Sequence, residues 1–214
     1  MLRYLVLLLG LFCMGLGVSL TTKSDLGTSP ISAVPYVLSL ICRLSFGEFT
    51  FFLSIVFLLI QVAVLRNDFA RVQYLQILVG LVFGVFVDVA MFLSSSVHPR
   101  TYKEKILVLL LGNAVLALGV YLQVLAKVII NPGEGVVRAI AKKTGFRFGD
   151  VKVIFDSTLL TSAIVISTLA FRSVKGIREG SIISAFLVGS FTNAFAHFAT
   201  RIDVTNRCLE YLAD

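Results

Sequence analysis

LGVSLTTKSDLGTSP, residues 16–30, returns 102 positions further on as LGVYLQVLAKVIINP, residues 118–132. Leu16-Gly17-Val18 falls on Leu118-Gly119-Val120, Leu20 on Leu122 and Pro30 on Pro132, without a gap. The register holds on both sides of the stretch: Gly10 meets Gly112, Val34 meets Val136, and Phe46-Gly47-Glu48 meets Phe148-Gly149-Asp150. With three residues inserted, Gly84-Val85-Phe86-Val87-Asp88 meets Gly189-Ser190-Phe191-Thr192-Asn193. Two glycine-containing apolar helices align somewhere by chance. Prolines and glycine-acid pairs held in register across polar loops are harder to obtain that way, and such self-similarity is the mark of a duplicated unit. The expected division is a first repeat over 1–100 and a second over 101–214.

Around this repeat the chain is strongly apolar. Hydrophobic residues make up 57% of the 214 and charged residues 14%, with a mean hydropathy of +0.95; a soluble domain carries about 25% charged residues. A chain this short has too little interior to bury so many apolar side chains, so most of its surface must face lipid. Six stretches approach the ~20 apolar residues of a membrane-spanning helix: 4–22, 49–65, 73–95, 105–127, 151–171 and 179–199. The first follows Met1-Leu2-Arg3 as a signal peptide would, but its core is long and no small-x-small cleavage site follows, so it is read as a retained helix. Residues 30–43 are apolar but too short to span, and residues 132–144 carry Glu134, Arg138, Lys142 and Lys143. Both read as half-helices that dip into the bilayer or lie on it.

The expected fold is therefore all-α: a polytopic membrane protein of about six transmembrane helices, in two three-helix repeats, each with a short half-helix after its first span. An odd number of spans per repeat turns the second copy upside down, a plan common among transporters. Were the half-helices to cross, each repeat would have four spans and the copies would be parallel.

The net charge of +7 does not point to nucleic acid, because the Lys and Arg residues sit in connectors between apolar stretches instead of forming one basic face. They suit headgroup anchoring. Eleven of the nineteen fall on one side if both termini are cytoplasmic, the orientation that the positive-inside bias favours. Cys13, Cys42 and Cys208 lack metal-ligand or redox spacing. No nucleotide loop or nucleophile motif is present, and the two histidines are far apart. No enzyme activity, metal or cofactor is expected.

The polar segment 21–30 is the most unusual. Lys23 and Asp25 follow an apolar helix of only about 17 residues, which at ~1.5 Å per residue is shorter than a ~30 Å hydrocarbon core. Gly27 permits a sharp turn, Thr28 and Ser29 add hydroxyls, Ser29 suits an N-cap, and Pro30 opens the half-helix. Asn131, Pro132 and Glu134 repeat this chemistry as cap, first position and something like a capping box. A helix N-terminus within the membrane offers N–H donors to an anion, so the segment is either ordinary capping or a ligand site. Asp88 lies inside the third apolar helix, where an ionisable group is costly and faces the interior; with Asn193 it forms either a functional site or a hydrogen-bonded pair between repeats. The candidate substrate site is Lys23, Asp25, Gly27, Thr28, Ser29, Asp88 and Asn193. Asp156, near the start of the fifth span, reads as a cap or anchor, His197 and Arg201 as headgroup anchors, and Gly10, Gly15, Gly17, Gly80, Gly84, Gly112 and Gly119 as sites of close helix packing.

Residues 16–20 and 23–30 together with Gly84-Val85-Phe86-Val87-Asp88 resemble the YczE/YyaS/YitT group of bacterial membrane proteins. The resemblance implies a bacterial cytoplasmic-membrane protein of the same helical plan, and no substrate. The expected function is a small-molecule transporter or a substrate-binding membrane subunit, for a ligand of acidic character. The alternative is a membrane adaptor that docks a protein partner through the basic segment 138–152.

Overall fold

A computed structural model describes the backbone of residues 2–201, and all side chains in that range except those of Asn193, Ala196 and 198–201. Among the described residues the chain is helical throughout: α1 Leu2–Lys23, α2 Pro30–Ile41, α3 Phe46–Leu65, α4 Gln76–Leu93, α5 Tyr102–Ala126, α6 Pro132–Thr144, α7 Phe148–Phe171 and α8 Glu179–Arg201. Five of them, α1, α3, α4, α5 and α7, are long and apolar enough to cross a membrane, and the described apolar stretch of α8, Glu179–Thr192, is shorter. At ~1.5 Å per residue, the 12 residues of α2 and the 13 of α6 do not reach across a ~30 Å hydrocarbon core.

Local chemistry sets the boundaries. α3 begins at Phe46 instead of 49 because Ser45 and Glu48 form a capping box, in which the Ser45 hydroxyl accepts from Glu48 N and Ser45 N donates to the Glu48 carboxylate. Thr101 and Glu104 do the same for α5, which starts at Tyr102 instead of 105. The third span runs over Arg71–Ser96, its α-helical part Gln76–Leu93 flanked by 3-10 turns at 71–75 and 94–96. At α6 the Asn131 carboxamide caps by accepting from Gly133 N, Pro132 occupies the first turn, and the helix ends on Gly145 at φ +76°, a left-handed conformation that glycine adopts without penalty.

The interior and the surface are inverted relative to a soluble domain. Leu5, Leu9, Leu59, Leu78, Phe92, Leu107, Leu169 and Phe186 are exposed, whereas Ser19, Thr21, Thr28, Gln61, Gln76, Asn113 and Gln123 are buried. That pattern suits a protein whose solvent is hydrocarbon, where polar groups must find partners inside. One core joins Leu7, Leu11, Met14 and Val18 of α1 to Val79, Phe83 and Val87 of α4 and Leu116 of α5. A second joins Ala33, Val34 and Val37 of α2 to Ala163 of α7 and Ile177.

α1 and α5 form the central contact and run antiparallel, Gly10 lying against the backbone of Gly119 and Gln123, Gly17 against Leu116, and Gly112 against Thr21. The short helices cross between halves, α2 packing on α7 and α6 on α3. α1 packs on α4 as α5 does on α8, and α2 on α3 as α6 does on α7. One pairing lacks its counterpart among the described residues: α3 and α4 are tightly joined, with Gly47 against Gly84, whereas no comparable contact joins α7 to α8, and a side chain added at Gly149 or Gly189 would meet no described residue.

Candidate functional site

The end of the bundle where α1 begins is called here the near end; α3 and α5 finish there and α4 and α7 start there. The segment 21–30 lies at the far end and folds onto the start of α8. Asp25 takes the left-handed region at φ +59° and Gly27 an extreme φ of +115°, so close to α8 that a Cβ at Gly27 would overlap the Ser181 hydroxyl. Thr28 N donates to Ser181 Oγ (3.1 Å), Gly180 N donates to the Leu26 carbonyl (2.8 Å), and the Arg178 guanidinium donates to the Asp25 carbonyl (3.3 Å). Lys105 pairs with the Asp25 carboxylate. The Thr22 hydroxyl bonds Val18 O and Thr28 Oγ1, and the Ser29 hydroxyl donates to Ser32 Oγ (2.9 Å) instead of capping α2. Lys23 makes no ion pair among the described residues. The structure thus brings Asp25, Gly27, Thr28 and Ser29 together, and most of their polar groups bond within the segment or to α5 and α8.

Asp88 has other partners. Its carboxylate accepts from the Ser45 hydroxyl (2.6 Å) and from Gly47 N (2.7 Å), placing a negative charge at the N-terminus of α3, where the helix dipole favours it. It joins α4 to α3 and contacts nothing of segment 23–29 through these bonds. The side chains of Asn193 and Arg201, like residues 202–214, lie outside the described residues. Asp156 is buried and paired with Lys152 at 2.9 Å.

A polar site that the residue pattern had not singled out lies at the near end. Gln61 of α3 and Gln76 of α4 are both buried and bond reciprocally: Gln61 Nε2 donates to Gln76 Oε1 (2.9 Å) and Gln76 Nε2 to Gln61 Oε1 (3.2 Å). Gln61 Nε2 also reaches the Pro132 carbonyl at the start of α6 (3.1 Å). Gly135 of α6 makes room for this amide, since a Cβ there would approach Gln61 Oε1 to 2.5 Å. Beside the pair is a cavity of about 110 Å³, walled by Gln61, Gln73, Gln76, Leu65 and Asp68 on one side and by Ile130, Gly135, Arg138, Ala139 and Lys142 on the other. Gln73 Oε1 is buried there with no hydrogen-bond partner among the described residues, an acceptor that water or a ligand donor would satisfy. Asp68, Arg138 and Lys142 are exposed at the rim.

The residues 102 positions away make the contrast plain. Gly135, Ala139 and Lys142 correspond to Ala33, Val37 and Leu40, and Gln61 corresponds to Ala163. Ala33, Val37 and Ala163 belong to the dry cluster that Ile177 closes at the far end. At the far end the seat of the short helix is apolar, whereas at the near end it holds amides, with a carboxylate and two cations at the rim.

The chain matches, over residues 1–197, a family described as of unknown function, DUF6198. It is similar to the uncharacterized protein YyaS of Bacillus subtilis, 24% identical over 203 residues that cover 93% of this chain and 94% of that one, in keeping with the resemblance read from residues 16–30 and 84–88. No solved structure matches.

Proposed function

We propose, for a chain that belongs to the DUF6198 family, the role of a small-molecule membrane transporter or substrate-binding membrane subunit with its site in the near-end cavity. The observation that carries this reading is the buried Gln61–Gln76 pair beside an unpartnered Gln73 oxygen and two rim cations, a polar recess at the end of apolar helices. Polar groups in such helices are expensive and mark ligand pathways. The wider architecture in this reading is two inverted repeats, α1–α4 and α5–α8, with α8 as the sixth crossing. The antiparallel α1–α5 contact and the exchanged packing of α2 on α7 and α6 on α3 support it, since inverted repeats place substrate sites beside short helices at their interface. The membrane is the bacterial cytoplasmic one, with both termini inside.

The close α3–α4 pairing, without a comparable α7–α8 pairing among the described residues, suits a protein with one half shut and one open, as alternating access requires. The test is a metabolite screen by thermal stability in detergent. A bound ligand should raise the unfolding midpoint in proportion to the logarithm of its concentration, and substituting Arg138 and Lys142 by Gln should abolish the shift. A screen across acidic, basic, zwitterionic and apolar metabolites and lipid headgroups with no such response would remove the binding role. The second reading, a membrane adaptor, draws on the exposed run Arg138, Lys142, Lys143 and Arg147 with Phe146 exposed at 68%, a surface that suits an acidic protein partner; it gains if the screen is silent.

A further inference from the structure

We propose that the near-end cavity is a zwitterion site, in which Arg138 and Lys142 hold an anionic oxygen group while Gln73 Oε1 and Asp68 accept from an ammonium. This rests on the binding role proposed above and names its ligand class. The buried Gln61 and Gln76 amides satisfy each other and Pro132, so they define the floor without demanding a charge. What is left unmet is of two signs. Gln73 Oε1 is a buried acceptor with no donor among the described residues, which an ammonium N–H suits and an anion does not. Arg138 and Lys142, at i and i+4 on α6, line the same cavity and carry donors that suit a carboxylate or phosphate. Asp68 adds the negative charge that a purely anionic ligand would meet as repulsion.

Size narrows the class. An enclosed apolar cavity of roughly 150 Å³ holds benzene, with its six heavy atoms, so the 110 Å³ of this half-open recess takes up a group of about the size of glycine and leaves a larger ligand free to extend outward. Two sources carry that chemistry: a free small α-amino acid, and the ethanolamine phosphate headgroup of a membrane lipid whose ammonium enters while its phosphate stays at the rim.

The experiment uses the full chain in nanodiscs of phosphatidylglycerol alone and in nanodiscs that also contain phosphatidylethanolamine, probed by calorimetry and thermal stability with glycine, alanine, acetate and methylamine. A free amino acid ligand predicts saturable binding of glycine or alanine in phosphatidylglycerol discs, with acetate and methylamine each at least tenfold weaker. A headgroup ligand predicts no response to the amino acids and a raised unfolding midpoint only in the ethanolamine discs. In either case the exposed-residue variants Arg138→Gln and Lys142→Gln should each weaken the effect roughly tenfold, the scale of losing a charged hydrogen bond. Gln73→Glu should tighten methylamine and leave acetate undetectable. Acetate binding as tightly as glycine would show that Gln73 presents its NH₂ to an anion and would overturn the zwitterion. A screened ligand of other chemistry that loses binding in Arg138→Gln overturns it too while leaving the binding role intact; silence in every arm, the broad screen included, overturns both.

Discussion

Asp88 shows how a carboxylate within an apolar helix can be structural. Ser45 Oγ and Gly47 N both donate to it, so removing it leaves two donors unpaired at the start of α3. Asp88→Ala should cost about 1–3 kcal/mol, the penalty of orphaning two part-buried donors, read as a lowered unfolding midpoint in detergent, and Asp88→Asn, which still accepts, should fall between Ala and the parent. An Asp88→Ala protein as stable as the parent but without ligand response would return this residue to the substrate site. That a charge at 88 must face inward is legible from its apolar surroundings; its partners are not, because Ser45 and Gly47 lie 43 and 41 residues away and only the pairing of α3 with α4 makes them neighbours. Segment 21–30 is similar. Its turn at Gly27 is written in the residues, whereas Arg178, Ser181 and Lys105, which take up its polar groups, belong to helices whose approach no local pattern announces.

At the scale of elements, the two short helices differ by what they give their neighbour. α2 offers Ala33 to a dry cluster containing Ala163 of α7, and α6 offers Gly135 to Gln61 of α3. Gly135→Ala should therefore push a methyl into the Gln61 amide and cost about 1–3 kcal/mol, as overpacking does. Adding Gln61→Ala should restore most of that stability by recreating the alanine pair of the far end, while emptying the cavity of its amide floor and of ligand response. The coupling is measurable as a double-mutant cycle; additive losses would show that Gly135 is needed for backbone reasons alone. The helices themselves were readable from hydropathy to within a few residues, and the capping boxes at Ser45 and Thr101 account for two of the early starts. The near-end site was not, because a glutamine inside an apolar run carries no charge and leaves the span prediction intact. The legible signal was the exchange itself: Gln61 standing where the duplicate has Ala163, and Gly135 where it has Ala33.

For the molecule as a whole, the two halves are alike in helix order and unlike in closure. Gly47 and Gly84 lie so close that a Cβ on Gly47 would meet the Gly84 carbonyl at 2.1 Å, whereas Gly149 and Gly189 have nothing within 4 Å among the described residues. If the open seam between α7 and α8 is a resting shape with no further role, filling it should be harmless in every respect. If the protein works by closing that seam as the α3–α4 seam opens, bulk there should leave folding intact and stop movement. The proposed transport mechanism predicts the second outcome. Gly149→Leu and Gly189→Leu should keep stability within about 0.5 kcal/mol of the parent, as exposed substitutions do, and should leave ligand binding at the near end unchanged. Gly84→Ala, forced against the Gly47 carbonyl, should instead lower stability by about 1–3 kcal/mol. Uptake into proteoliposomes of the ligand identified by the screen is the discriminating measurement: it should fall to background in both leucine variants, and full uptake through either would mean that α7 and α8 do not close on each other during transport.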